Sequence, residues 1–197
     1  MAGLRLRRLP AVAHLPGGGL GRLGGMLAAV VMSGDPSAAA RLASVGALLV
    51  GLPGRCGNGE VLAWADLGDA SMVPVVLFGR ISRAGLFGDW PAGVGIDAPG
   101  DPAGLMTRLR EIDEPAAIST LAGLASVSMA YQVPGRYTGP QARQVFGALA
   151  DILGRPARWW ASTGPAGSNP VTRHTFDGLV AGAGGGVIVT ILACDED

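Results

Sequence analysis

Residues 173–193 read RHTFDGLVAGAGGGVIVTILA, and this stretch decides the fold. Two segments with strand character, Arg173–Val180 and Val187–Ala193, flank the glycines of Gly182–Gly186. Because glycine adopts the left-handed backbone conformations that tight hairpin turns require, the pattern predicts a β-hairpin. A phosphate-binding glycine loop would instead follow a strand and open a helix, so we expect no nucleotide site here or at Gly54–Gly59.

Further strand segments occur in both halves of the chain. Asn58-Gly59 is a turn signal that introduces the first of them. Bounding turn residues separate each segment from its neighbours. We expect strands at Glu60–Leu67, Val73–Ile81, Gly93–Asp97 and Ala157–Ser162.

Proline and glycine mark the helix ends. Proline is favoured at the first helical position, where its missing N–H would have no partner. The segment Pro140–Leu153 has its apolar residues on one stripe, and Gly154 follows as the stop. Pro36–Val50 and Pro115–Tyr131 are apolar nearly all round, which predicts buried helices. A shorter predicted helix carries a stripe formed by Leu105, Met106, Leu109 and Ile112.

Strands and helices occur in runs and do not alternate, which is typical of the α+β class. We expect a mainly antiparallel sheet with helices packed on one face, and a flexible basic N-terminal arm. The arm comprises residues 1–25, and residues 26–197 form a single α+β domain. The alternative is a subdivision near residue 99, because Ala98–Pro102 has the composition of a linker.

The basic residues of this 197-residue chain are all arginine: there are fifteen, and no lysine. Chemistry that needs a lysine amine, such as a Schiff base, is therefore excluded. A lysine-free chain rich in Ala, Gly and Arg is typical of a GC-rich genome. Charged residues make up 15% of the chain, against about a quarter in an average domain. A surface so poor in charge predicts self-association or a stable partner.

Charge is unevenly distributed although the net charge is zero. Residues 1–59 hold six arginines and one acid (+5), whereas residues 60–114 hold four arginines and nine acids (−5). We expect the basic segment to pack near the acidic one, within the chain or in a neighbouring copy. A nucleic-acid partner would need a denser basic face. No apolar run reaches the length of a membrane span, about 18 residues, so we expect a cytoplasmic protein or part of a particle assembled in the cytoplasm.

Tryptophans and arginines are the interface candidates. Consecutive strand residues face opposite sides, so one of Trp159 and Trp160 should face outward, beside Arg158. An outward tryptophan next to arginine is typical of an interface anchor; a ligand platform and plain core packing are the alternatives. The remaining interface candidates are Arg5, Arg7 and Arg8 in the arm and Trp90 in an apolar loop.

His174 and Asp177 are the close imidazole–carboxylate pair of the sequence, and so the candidate catalytic residues. Residues three apart on a regular strand face opposite sides, so these two could share a proton only if a bulge intervened. The alternative is a surface histidine beside a turn aspartate. Candidate nucleophiles are Ser162, Thr163, Ser168 and Cys194.

Metal and cofactor sites are not predicted. Two histidines and two widely separated cysteines match no zinc pattern. Aspartates between residues 66 and 101 could bind a cation, but their Gly and Pro neighbours favour turn formation, with pairing to the N-terminal arginines as a third option. These acids are Asp66, Asp69, Asp89, Asp97 and Asp101.

The sequence leaves three functional hypotheses. The first is a non-catalytic protein–protein interaction or assembly protein, a structural component of a larger complex (of phage origin, for instance) that binds a protein partner or forms a homo-oligomer. The second is a small hydrolase or transferase that uses His174 and Asp177. The third is an immunity- or antitoxin-type binder. Scarce catalytic residue types and a charge-poor surface favour the first.

Overall fold

The structure is a computed structural model that describes residues 37–56, 59–88, 97–164 and 167–195. The predicted arm with Arg5, Arg7 and Arg8 lies outside these residues, as do Trp90 and all but the last residue of the strand predicted at Gly93–Asp97. Within the described ranges, no helix is both long enough and apolar enough to cross a bilayer.

The described elements are five α-helices, one 3₁₀ turn and eight strands. The helices are α1 (Ala38–Leu49), α2 (Val73–Arg83), α3 (Pro102–Met106), α4 (Glu114–Ser126) and α5 (Gly139–Leu153), with the 3₁₀ turn at Ala70–Met72. The strands are β1 (Gly54–Cys56), β2 (Gly59–Leu67), β3 (Arg110–Ile112), β4 (Arg158–Ala161), β5 (Thr163–Gly164), β6 (Gly167–Ser168), β7 (Phe176–Gly184) and β8 (Val187–Asp195).

Six of the strands form one antiparallel sheet in the order β1-β2-β8-β7-β4-β3, and β5 pairs with β6. The predicted α+β class with a mainly antiparallel sheet is therefore confirmed. Strands from both sides of residue 99 belong to this one sheet. The division of the chain at residue 25 stays a prediction.

The predicted hairpin is the centre of the sheet. Every residue of β7 pairs with β8, from Phe176 with Asp195 to Gly184 with Val187. Gly185 (φ 56°) and Gly186 (φ 78°) form the two-residue turn in the left-handed region, where a side chain would be strained.

Helices cover both faces of the sheet. On one face, α1, α4 and α5 pack against alternate strand residues such as Val189 and Ile191. On the other face, α2 and α3 pack against their neighbours, such as Ile188 and Leu192. The expectation that the helices pack on one face only is therefore corrected: they pack on both faces. β8 is buried at every position, and a strand that is apolar on both sides requires cover on both sides.

The strand predicted at Val73–Ile81 is wrong, because this segment is the helix α2. Its valines favour a strand by propensity, but Val73, Leu77 and Ile81 are spaced by four and are all fully buried on one side. Pro74 lies in the first turn, where a helix accepts proline. Tertiary packing therefore overrides the local β preference.

The helix predicted from the stripe Leu105, Met106, Leu109 and Ile112 is also wrong in its second half, which contains Leu109 and Ile112. Asp101 caps α3 by accepting a hydrogen bond from the Gly104 N–H at 2.7 Å, but the helix ends at Met106. Arg110–Ile112 forms β3 and pairs with β4. β3 therefore covers the outer edge of β4, the strand that carries Trp159 and Trp160.

The other helix predictions hold within a few residues. Thr138 and Gln141 form a reciprocal capping box at the start of α5, and Gly154 (φ 70°) ends it as predicted. Asp113 caps α4 through the Ala116 N–H at 2.8 Å. The helix predicted to reach Tyr131 ends five residues earlier, at Ser126.

Candidate functional site

The first candidate site is the cluster around His174 and Asp177, at the end of the β7–β8 hairpin away from its turn. Asp177 is the second residue of β7 and is 2% exposed. Its Oδ2 accepts hydrogen bonds from the Val171 N–H (2.9 Å), the Thr172 N–H (2.6 Å) and the Thr172 hydroxyl (2.8 Å). The carboxylate therefore ties the loop that precedes β7 back onto the sheet.

Thr172 links the histidine to the carboxylate. His174 lies in the bend before β7, so the alternation of strand side chains does not separate it from Asp177. The His174 Nδ1 is 3.2 Å from the Thr172 Oγ1, and the same hydroxyl donates to Asp177. The structure thus brings the predicted pair into one cluster without a bulge, through a threonine that the sequence interpretation did not consider.

The electrostatics of Asp177 follow from its burial. Burial raises the pKa of Asp177, whereas hydrogen bonds from Thr172 and Val171 and the charge of His174 lower it. Cys194 is the cross-strand neighbour of Asp177 and is buried, with its Sγ 4.0 Å from the Thr172 Oγ1. A thiol enclosed in this way is inaccessible to a substrate, which is typical of a structural cysteine.

The remaining nucleophile candidates also have structural partners or fall outside the description. Ser162 is buried, and its Oγ accepts a hydrogen bond from the Leu179 N–H at 2.8 Å. This contact extends the pairing of β4 with β7 by one residue. The side chains of Thr163 and Ser168 are not among the described ones.

Arg108 closes the same loop from its outer side. Its Nη1 donates to the Pro170 carbonyl at 2.7 Å, and its Nη2 donates to the Asp97 carbonyl. Burial lowers the pKa of Arg108, while the charges of Asp177 and Asp97 raise it. The cluster is thus a network of satisfied polar groups that holds the segment 169–177 in place.

The acidic residues of the middle segment serve as caps and ion pairs. Asp69 caps the 3₁₀ turn through the Ser71 N–H (2.8 Å), and Asp101 caps α3. Asp66 accepts two hydrogen bonds from the Arg80 guanidinium, one of them from Nε at 3.0 Å. Asp89 is outside the described residues. In the part of the chain that the structure covers, no group of three His, Cys, Asp or Glu could hold a metal ion.

The expectation of an outward tryptophan on β4 is wrong. Trp159 is 1% exposed and Trp160 is 7% exposed, because each enters a separate core on its own side of the sheet. Arg158 is exposed, forms a two-pronged ion pair with Glu111 (2.9 and 2.8 Å), and lies 5.1 Å from the Trp160 ring centroid. These three residues do not form an exposed patch.

The open edge of β2 is the feature that sequence reasoning missed. β1 pairs with β2 at Gly59–Val61 only. In the described ranges, Leu62–Leu67 therefore pairs with β8 on one side and has no strand on the other. The side chains of this stretch are half-buried or exposed, whereas every residue of β8 is buried.

Helix α1 presents an uncharged face next to this edge. The exposed residues of α1 and its C-cap lie on one helical side and are all small or aliphatic: Ala39, Ala40, Ala43, Gly46, Ala47 and Val50. The single charged residue of α1, Arg41, directs its Nη1 to the Ile152 carbonyl at 2.9 Å. A helix that is apolar all round is normally buried, so this face is suited to contact with another chain.

A groove joins the two features. It is lined by Leu42, Gly46, Leu49, Val50, Pro53, Ala63 and Ala65. We name the exposed face of α1, the groove and the edge Leu62–Leu67 together the α1–β2 surface. The sequence signal that could have found it is the composition of Pro36–Val50, which is apolar nearly all round. The structure buries only the side of this helix that carries Val45 and Leu49.

Comparisons of the chain with protein-family models, with curated proteins and with solved structures found no match. The chemistry of its own residues is therefore the basis for assigning a function. Two regions stand out on that basis: the satisfied polar cluster at Asp177 and the α1–β2 surface.

Proposed function

We propose that the protein is a non-catalytic interaction or assembly component that binds a protein partner through the α1–β2 surface. The observation that supports this most is the open β2 edge beside an apolar helix face. Sheet edges are normally protected by charge, proline, bulges or a covering segment, because an unprotected edge pairs with other chains. Leu62–Leu67 contains one charged residue, Asp66, and Arg80 neutralises it.

Strand addition is the binding mode that fits this surface. In this mode an extended segment hydrogen-bonds to the exposed edge of a sheet, while alternate side chains enter pockets beside it. On this chain the groove between α1 and Ala63 and Ala65 would receive those side chains. An immunity- or antitoxin-type binder would use the same surface and differ only in its partner. The proposal includes a location in the cytoplasm or in a particle assembled there.

The cluster at Asp177 gives no support to the hydrolase or transferase alternative. Its carboxylate is occupied by Val171 and Thr172, and Thr172 and Cys194 are buried. Because a catalytic base must reach a substrate atom, a carboxylate already engaged by its own loop fits an anchoring role better.

Quantitative affinity purification of the full chain from cells that produce it tests the proposal. Wild type, Ala43→Arg and Gln144→Arg are compared; both substituted positions are exposed on helices, and only Ala43 lies on the α1–β2 surface. We expect a partner, including other copies of the chain, to be retained by Gln144→Arg and lost by Ala43→Arg. Equal recovery with both variants, or a wild type that retains no partner and is also monomeric at high concentration, would contradict the proposal.

A further inference from the structure

We infer that the partner at the α1–β2 surface is a second copy of this chain, related to the first by a two-fold axis. The inference rests on the proposed function, because it names the partner of the same surface. β2 pairs antiparallel with β2 of the second copy, so that two six-stranded sheets become one continuous sheet. Across the same axis, α1 packs antiparallel against α1 of the second copy.

The placement of α1 makes both contacts part of one interface. Near its start, Ala38 lies beside Gly186, and Gly186 accepts a hydrogen bond from Gly68 at the far end of β2. The chain after α1 leads to Gly54, which pairs with Val61 at the other limit of the open edge. Helix α1 thus runs alongside the whole edge, and a two-fold axis through the middle of Leu62–Leu67 brings the two helices together.

The small residues of α1 allow this close approach. Paired strands lie about 4.8 Å apart, so helices seated above them must pack at the short end of the usual interaxial distance, about 8 Å. Four side chains on the exposed face are no larger than alanine and satisfy this requirement, and the larger Leu42 and Val50 line the groove beside them. The four are Ala39, Ala43, Gly46 and Ala47. Large or charged residues at these positions would hold the helices apart.

The charge of the surface is compatible with a copy of itself. A two-fold axis brings each charge near its own equivalent, so unpaired charges would repel across it. Asp66 is neutralised by Arg80, and Arg41 is directed toward Ile152, away from the edge. A foreign partner chosen by charge would need a charged patch, and α1 together with Leu62–Leu67 has none beyond these two residues.

The size of the surface sets the strength of the dimer. Six strand residues span about 20 Å, and the distance from the sheet edge to the outer side of a packed helix is roughly 15–20 Å. Each copy therefore contributes on the order of 400 Å², which is below the roughly 800 Å² per partner of a standard stable interface. A dimer of this size is weak and reversible, so its population depends on protein concentration.

The test is light scattering on the full chain over a concentration range, combined with hydrogen exchange of the β2 amides. From about 1 µM to about 1 mM, the mean molar mass of the wild type should rise from one toward two chains. Ala43→Arg should raise the dissociation constant by at least about tenfold, and Gln144→Arg should leave it unchanged. Amides of Leu62–Leu67 that point away from β8 should be protected only at high concentration.

Three results would overturn the inference, and they differ in what they mean for the proposed function. A monomer at all concentrations with fast-exchanging edge amides leaves the surface free for a different partner. A monomer whose edge amides exchange slowly even at the lowest concentration has its edge covered within one chain, which removes the proposed function as well. A dimer that Ala43→Arg does not weaken uses another face, such as the exposed group of Tyr131, Val133 and Phe176.

Discussion

The Asp177 cluster and the α1–β2 surface lie on the same sheet and differ in how their groups are satisfied. Asp177 has three hydrogen-bond donors within its own loop and almost no solvent contact. The β2 edge has backbone groups without a partner strand in the described ranges, beside a helix face that lacks charge. The residue types that suggest catalysis therefore tie a loop to the sheet, whereas in our proposal ordinary alanines and a strand edge form the place for a partner.

The largest expected effect is on stability, at Asp177. Asp177→Ala should lower the free energy of unfolding by about 3 kcal/mol, because it leaves the Val171 N–H, the Thr172 N–H and the Thr172 hydroxyl without an acceptor. Asp177→Asn keeps an acceptor of the same shape and should cost less than about 1 kcal/mol. Urea unfolding of the three proteins measures both values. A loss below about 1 kcal/mol for Asp177→Ala would show that the carboxylate has no anchoring role.

The second effect is a weaker association of Ala43→Arg with an unchanged free energy of unfolding. Ala43→Arg should weaken association at least about tenfold, because a guanidinium enters an uncharged contact. Its free energy of unfolding, measured at a concentration where the chain is monomeric, should stay within about 0.5 kcal/mol of wild type, since Ala43 is exposed. A large loss of stability in this variant would mean that Ala43 is covered within a single chain.

A smaller effect distinguishes two glycines in helices. A side-chain carbon added at Gly46 of α1 or Gly147 of α5 would meet nothing within 4 Å. Each replacement by alanine should therefore raise the free energy of unfolding by about 0.5–1 kcal/mol through helix propensity. Thermal unfolding at low concentration measures this gain. Only Gly46→Ala should also change the dissociation constant of the dimer, because Gly46 lines the groove of the α1–β2 surface and Gly147 does not. Equal dissociation constants for the two variants would contradict this difference.

The smallest effect is a pH dependence that comes from Asp177. Burial raises the pKa of its carboxyl above the ordinary value of 3.8, so between the two values the folded chain holds more protons than the unfolded chain. The stability of the wild type relative to Asp177→Asn should therefore increase as pH falls through this window. Urea unfolding of both proteins from about pH 7 to about pH 4 gives the difference. A relative decrease on acidification would show that the hydrogen bonds from Thr172 dominate over burial.

Turn and cap chemistry made part of the fold predictable. Gly185 and Gly186 specify the hairpin, and Pro140 and Gly154 mark the two ends of α5, because each of these residues acts on its immediate neighbours. At Val73–Ile81, strand propensity and helical spacing conflict, and only packing against the second face of the sheet decides between them.

The candidate site was predictable only in its residue types. Strand alternation predicts that His174 and Asp177 face opposite sides, whereas their contact runs through Thr172 in a loop that folds back. The burial of Trp160 depends on a second layer of helices, α2 and α3, whereas the prediction placed the helices on one face of the sheet. The edge of β2 is open because β1 pairs with only three of its residues. The residue pattern of β2 itself does not predict how far β1 extends.

The most direct test of the central claim compares the two regions in one measurement. Light scattering at a concentration where the wild type associates is repeated with Ala43→Arg and with His174→Ala. The account predicts that Ala43→Arg is monomeric and that His174→Ala associates as the wild type does. Association that survives Ala43→Arg and is lost with His174→Ala would contradict the account and move the functional site to the Asp177 cluster.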